Sequence, residues 1–263
     1  MRSCLILGSG RSGTSMLAGV LAGGGYYMGD NLWPARDANP KGFFEDVEIN
    51  SINEELIAAV TPARPRRPLG LLYHHRPVQW QRWLAEVPLG TPMAVDERTA
   101  MRIARQTERG PFCFKDPRFC YTLPAWRPYL RSAAFVCIFR SPAETVASIL
   151  KDCRQAPYLR DLRMSRSRAL SLWNLVYRHV LDTHRSSGDW LFVHYDQILD
   201  GSAAPRLEAL LGIEGDWRFP EASLRRSAPA GRPGAETQAT YVELCRLAGY
   251  GYGGGVGGGG ADG

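Results

Sequence analysis

Lysine is nearly missing from this chain of 263 residues: Lys41, Lys115 and Lys151 are the only three, against 29 arginines among 32 basic residues. Arginine-rich usage of this kind is a genome-composition habit, so each retained lysine marks a position worth inspecting. Long apolar runs are also missing. None approaches the roughly 20 residues that a membrane-spanning helix needs. The first strand-like run begins within a few residues of Met1, which leaves no room for a signal peptide, and the expected location is cytoplasmic. The six cysteines (Cys4, Cys113, Cys120, Cys137, Cys153 and Cys245) show no C-x-x-C pair and no metal-ligand spacing. Neither a disulfide framework nor a metal site is therefore expected. Cys4, Cys113 and Cys137 sit in or beside apolar runs, where free cysteine acts as a small hydrophobe suited to a reducing compartment. No long Lys/Arg run interleaved with aromatics occurs. A net charge of +6 and a pI near 9.1 then suit small polyanions, and no nucleic-acid partner is expected.

With 44% hydrophobic residues the chain has material for a substantial core. Its organising stretch is the run Leu5-Ile6-Leu7 followed by Gly8-Ser9-Gly10-Arg11-Ser12-Gly13-Thr14-Ser15 and then a helical pattern from Met16. A short strand without a polar face, a glycine-rich turn and a helix N-terminus form a cradle for an anion. Glycines let the backbone approach, and free amides and the helix dipole face the negative charge. Gly8 and Gly13 have the spacing of the NTPase loop G-x-x-x-x-G-K-[ST], but Thr14 occupies the lysine position. That argues against ATP or GTP hydrolysis. The positive charge has moved inside the loop, to Arg11.

Further along, Asp46 is placed to cap a helix carrying Ile49, Ile52, Leu56 and Val60. Residues 61–92 turn to Pro, Arg, His and Trp and read as a lid or insertion over the site, made of poor core material with one short helix near Val78 to Val87. Helical spacing returns over Asp96 to Arg109. Strand-like runs follow at 111–114, ending in Lys115-Asp116-Pro117-Arg118, and at 134–139, ending in Arg140-Ser141-Pro142. Ser141 and Pro142 are suited to cap and open the next helix. A basic stretch (Arg154, Arg160, Arg163, Arg166, Arg168) reads as loop. A long helix spans about Ser165 to His184, on which Trp173 and Tyr177 form a packing pair, and a buried-type strand follows at 190–195. The tail 251–263 is nearly all glycine and is expected to be flexible. Strands alternating with helices predict an α/β fold: an open, mostly parallel sheet with helices on both faces, one domain over 1–250.

In such a sheet ligands bind beyond the carboxyl ends of the strands, and three strands here end in basic residues: Arg11, then Lys115 with Arg118, then Arg140. Together they define a pocket for a multiply charged anion. The loop x-x-[KR]-S-G-T-[ST] resembles the 5′-phosphosulfate loop of sulfotransferases that use 3′-phosphoadenosine 5′-phosphosulfate (PAPS). The spacing from Arg140 to Ser148, F-R-x-P-x-x-x-x-x-S, resembles their 3′-phosphate motif. Lys115-Asp116-Pro117 is similar to the K-D-P element of the tyrosyl-protein and related branch, which also favours arginine in the loop. Residues 39–46 (Asn-Pro-Lys-Gly-Phe-Phe-Glu-Asp) and 247–250 (Leu-Ala-Gly-Tyr) resemble segments of bacterial members. The resemblance spans nearly all of the chain except 61–92 and the tail, and it implies a P-loop NTPase-like fold with PAPS as co-substrate. Gly10, Arg11, Ser12, Gly13, Thr14, Ser15, Arg140 and Ser148 are implied to hold the nucleotide, and Arg232 is a weaker match to a loop covering the 3′-phosphate. Lys115 and Arg11 would stabilise charge on the leaving oxygen. The acceptor would be a hydroxyl, less readily an amine, of a small molecule, sugar or lipid, with no metal required.

A hydroxyl acceptor needs a base. Asp30, Glu45, Asp46, His74 and His75 are candidates. Asp46 has a capping duty and the histidines lie in the lid; Asp30, in the loop after the first helix, stays open, and Glu45, after two aromatics able to bury its stem and raise its pKa, is the expected base. Two other readings remain. A P-loop nucleotide or sugar kinase would act with ATP and magnesium. A silent nucleotide-binding protein would bind the product nucleotide without turnover.

Overall fold

The computed structural model describes residues 1–36, 40–66, 68–221, 231 and 233–251. Four strands, β1 (Cys4–Leu7), β2 (Cys113–Lys115), β3 (Ala134–Phe139) and β4 (Asp189–His194), form one sheet in the order β2-β1-β3-β4. Every pairing between them is parallel, with Cys4 opposite both Cys113 and Ala134, and Ala134 opposite Asp189. The strand pattern explains how both faces are covered. Leu5 and Leu7 point into one apolar cluster while Cys4 and Ile6 point into the other, the period of two that a pleated strand imposes.

On one face lie α2 (Val47–Val60), α3 (Glu97–Glu108), α4 (Phe119–Trp126), α5 (Pro142–Gln155), α6 (Arg166–Arg178) and α9 (Ala235–Leu247). The other carries α1 (Thr14–Gly23), α7 (Tyr195–Leu199) and α8 (Ala204–Leu211). Asp46 caps α2 by accepting from the Glu48 and Ile49 backbone N–H groups, as expected, and Asp96 and Ser165 cap α3 and α6 in the same way. Pro142 opens α5, but the Ser141 side chain makes no capping bond. The long helix is α6 continued by a π-helical turn over His179–His184.

α4 was not foreseen, and it carries a proline, Pro124, in its interior, where helices disfavour one. Pro124 has no N–H for the Cys120 carbonyl one turn back. His184 Nε2 donates to that carbonyl instead, at 3.0 Å, so the helix survives its internal proline.

The segment 61–92 departs from expectation more widely. It holds two 3₁₀ turns, Leu69–Tyr73 and Arg82–Leu84, in place of one helix, and Leu84, Ala85 and Val87 are fully buried in the main core cluster. The run around Leu84 is core material, contrary to the reading from composition. No helix among the described residues is long and apolar enough to cross a membrane. The glycine tail from Tyr252 onward and Arg232 lie outside the described residues.

Candidate active site

The chain runs from β1 to β2 on one side, then crosses β1 to reach β3 and β4 on the other. Ligands favour such a reversal of strand order. A cavity of about 1030 Å³ opens there, beyond the carboxyl ends of the strands. The loop after β1 forms its floor. Arg11 adopts φ 70° and Gly13 φ 96°, a left-handed setting in which a side chain at Gly13 would also stand 2.6 Å from the Tyr195 ring. The backbone N–H groups of Gly13, Thr14 and Ser15 have no acceptor among the described residues, as the first turn of a helix leaves them. Tyr177, fully buried, holds the loop from behind: its hydroxyl donates to the Ile138 carbonyl at 3.0 Å and accepts from Ser9 N–H at 3.2 Å. Its packing partner Trp173 lies 4.6 Å away between ring centroids, so the pair is core and its hydroxyl also bears on the loop.

Gly10, Arg11, Gly13, Thr14, Ser15, Glu45, Lys115, Arg140 and Ser148 all line this one cavity. Ser12 is buried beneath it, its hydroxyl 3.4 Å from Thr145 Oγ1. Arg11 Nε donates to Ser148 Oγ at 3.1 Å and stands 3.4 Å from an Asp152 carboxylate oxygen. Burial raises the Asp152 pKa, with Arg11 and Lys151 opposing. Ser148 thus bonds Arg11 rather than Arg140. The Arg140 guanidinium is buried against Glu144 at 2.9 Å and lies 4.5 Å from the Tyr195 ring centroid.

Lys115 sits at the centre. Its side chain is 1% exposed, and its ammonium donates to Ser15 Oγ at 3.2 Å and to the Glu45 carboxylate. Burial lowers its pKa, and the attraction of Glu45 opposes that. The neighbour of the Glu45 carboxylate is the Lys115 ammonium. Phe44 packs edge-on against Phe219, 5.6 Å between centroids.

The other candidate bases lie apart. Asp30 is 78% exposed and paired with Arg109, while Asp46 holds its cap and accepts from Asn31 N–H. His74 Nδ1 bonds the Asp161 carbonyl, and His75 is exposed. None of these four lines the cavity. Nor does any arginine of the basic stretch 154–168, of which Arg168 pairs with Glu86.

Arg118 reaches the cavity wall but is committed to a buried network. Its guanidinium donates twice to Glu54 and once to Asp116, its backbone N–H also donates to Asp116, and both carboxylates lie 3% exposed or less. Asn50 and Asn53 donate to Asp116 as well, and Glu54 further accepts from Trp80 N–H, Arg82 N–H and the Arg82 guanidinium. The far wall is aromatic: Trp33, Phe43, Trp80, Trp83, Tyr158 and Phe219. Trp83 lies so close over the loop that a side chain on Gly10 would meet its ring at 2.4 Å. This wall leaves no local sequence signal, because its residues are scattered from 33 to 219. Asp152 was detectable, since it follows Ser148 by one helical turn on α5 and so shares its face.

Comparison with family models matches residues 4–214 to a family described as the sulfotransferase family. Among solved structures, a sulfotransferase domain from the curacin biosynthetic pathway superposes with a TM-score of 0.51 at 12% identity, covering 93% of this chain and 98% of that one. Sulfotransferase STF9 from Mycobacterium avium gives 0.44 at 15% identity, covering 93% and 68%. Comparison with curated protein sequences found no match.

Proposed function

This chain belongs to the sulfotransferase family, and we propose that it moves a sulfuryl group from PAPS to a hydroxyl, less readily an amine, of a small-molecule, sugar or lipid acceptor, in line and without a metal. One observation carries the reading. A single cavity gathers the amide-rich loop, Arg11, Lys115, Arg140 and Ser148 around a space with the volume of a nucleotide site, and Glu45 stands beside Lys115. The donor set suits a bisphosphorylated nucleotide: unpartnered helix N-terminal amides, two guanidinium groups and a buried ammonium, each a charge-assisted partner for phosphate or sulfate oxygens.

PAPS supplies the sulfuryl group on a phosphate leaving group. The amides of Gly13, Thr14 and Ser15, with Arg11, hold its 5′ end, and Gly10, Ser12 and the Thr14 and Ser15 hydroxyls complete that cradle. Arg140 and Ser148 hold the 3′-phosphate, Arg140 being oriented by Glu144 and Ser148 by Arg11. Lys115 places positive charge where the leaving oxygen gains negative charge. Glu45 takes the acceptor proton. The aromatic wall and the segment 61–92 cover the acceptor. We place the whole activity in one cytoplasmic domain spanning 1–250.

The test is to incubate the protein with PAPS, EDTA and panels of sugars, phenols and lipids, and to follow products by mass spectrometry. A sulfated acceptor is expected. Phosphoryl transfer from ATP with magnesium would identify a kinase, and binding of 3′-phosphoadenosine 5′-phosphate (PAP) without any product would leave a nucleotide-binding protein.

A further inference from the structure

Three leucines stand in water on one short turn. In the 3₁₀ turn Leu69–Tyr73, Leu69 is 58% exposed, Leu71 51% and Leu72 77%. Single exposed leucines are ordinary, but three within four residues are not. Side chains three apart eclipse on a 3₁₀ helix, so Leu69 and Leu72 share one face with Leu71 beside them. The turn has not simply failed to find the core. Gly70 is its buried residue, packed so that a side chain there would meet the Pro65 carbonyl at 2.4 Å, and this fixes the leucines outward.

The surroundings are cationic. Residues 56–79 contain no Asp or Glu and carry Arg64, Arg66, Arg67 and Arg76. The turn is pinned to the basic stretch by two bonds: His74 Nδ1 with the Asp161 carbonyl at 2.7 Å, and Arg163 N–H to the His74 carbonyl at 2.8 Å. Arg160 and Arg163 therefore stand beside it, with Asp161 the one carboxylate between them. Arg66, Arg160 and Arg163 are exposed and form no ion pair with any described residue, and the Arg76 guanidinium lies 4.2 Å from the Tyr73 ring centroid. An apolar crest ringed by unneutralised arginines is complementary to an anionic lipid surface. Leucines enter the acyl boundary and guanidinium groups meet the headgroup phosphates.

We infer that the turn Leu69–Tyr73, with Arg66, Arg160 and Arg163, docks this protein on anionic membranes. The inference is independent of the sulfuryl-transfer reading, since it concerns a surface outside the cavity. The same segment continues into Trp80 and Trp83 on the cavity wall.

The test is co-sedimentation of the full chain with vesicles of phosphatidylcholine alone and of phosphatidylcholine mixed with phosphatidylglycerol. Binding is expected only to the mixed vesicles and is expected to fall with added salt. Both Leu69→Ser/Leu71→Ser/Leu72→Ser and Arg66→Glu/Arg160→Glu/Arg163→Glu are expected to weaken it by about tenfold or more, with thermal melts as folding controls. Equal binding to both vesicle types, no binding at low salt, or wild-type binding by the folded leucine variant overturns the inference. So does self-association in sedimentation velocity that the leucine substitutions abolish, which would make a second copy the occupant.

Discussion

Lys115 and Glu45 form an ion pair whose ammonium is almost fully buried and whose carboxylate, 14% exposed, still reaches the cavity. The two come from distant places, the end of β2 and the turn before α2, and meet where the loop after β1 offers Ser15 as a third partner. Glu45→Gln is expected to leave the fold and PAP affinity in place, at some cost in melting temperature because the buried Lys115 ammonium loses its charged partner, while turnover falls by about 10²-fold or more, the usual size of a lost general base. Removing the carboxylate also removes the attraction that opposes burial at Lys115, so the Lys115 pKa should drop further. The alkaline limb of the pH–rate profile then moves to lower pH. Normal turnover by Glu45→Gln beside a dead Asp30→Asn or His75→Ala would place the base elsewhere.

Lys115→Ala and Arg11→Ala are each expected to cost turnover far more than PAPS binding if, as proposed, both face charge that grows as the S–O bond breaks. The check is steady-state kinetics with separate PAPS titrations. A raised Michaelis constant at an unchanged turnover number would assign these residues to ground-state binding.

PAP should bind much more tightly than 5′-AMP, since Arg140 and Ser148 stand together on the cavity wall. Calorimetry with Arg140→Ala is expected to show PAP weakened by roughly 2–4 kcal/mol and the preference over 5′-AMP largely gone. Because Arg140 neutralises the buried Glu144, the same substitution should also cost several kcal/mol of stability, about 3–5 for a broken buried pair. The double variant Arg140→Ala/Glu144→Gln separates the two effects: stability returns and PAP affinity does not.

Tyr177→Phe deletes one hydroxyl and leaves the Ser9 N–H and the Ile138 carbonyl without that partner. Denaturant unfolding is expected to show a loss of about 1–3 kcal/mol, with weaker PAP binding because the loop is no longer tied to β3. An unaltered PAP affinity in the folded variant would show that the loop holds its shape unaided.

His184 gives the protein an acid limit. Burial lowers its pKa from 6.5 to about 4, and Nε2 must carry the proton that it donates to the Cys120 carbonyl. The unfolded chain takes up a proton near pH 6.5 that the folded chain refuses, so stability is full above that pH. It falls as the pH drops toward 4. Between pH 7 and pH 5 the expected loss from this group is about 2 kcal/mol. Measured as unfolding free energy at the two pH values, the difference should shrink in His184→Gln, which keeps a donor but no titrating group.

Much of this architecture could be read in the residues. Each of the four strands was visible as a short apolar run, the cap at Asp46 marked one helix start, and helical spacing placed two more near Asp96 and Ser165, because these signals are local. α4 was not foreseen: Pro124 lies in its interior, and the partner for the Cys120 carbonyl came from His184, sixty-four positions away. The cavity floor was legible for the same reason as the strands: the loop, the K-D-P element and the Arg140 segment each follow a strand directly. The aromatic wall was not, because nothing in the spacing of Trp33, Trp83 and Phe219 announces that they meet. Glu45 was identified as a candidate while its partner was not, since ion pairing across seventy positions leaves no local trace.

Glu54 binds the backbone of Trp80 and Arg82 on one side and the Arg118 guanidinium on the other. One carboxylate is therefore a joint between the 61–92 segment and the turn after β2 that carries Arg118. A foreign segment grafted over 61–92 is expected to fold in place only if it presents two N–H groups to that carboxylate at the same place.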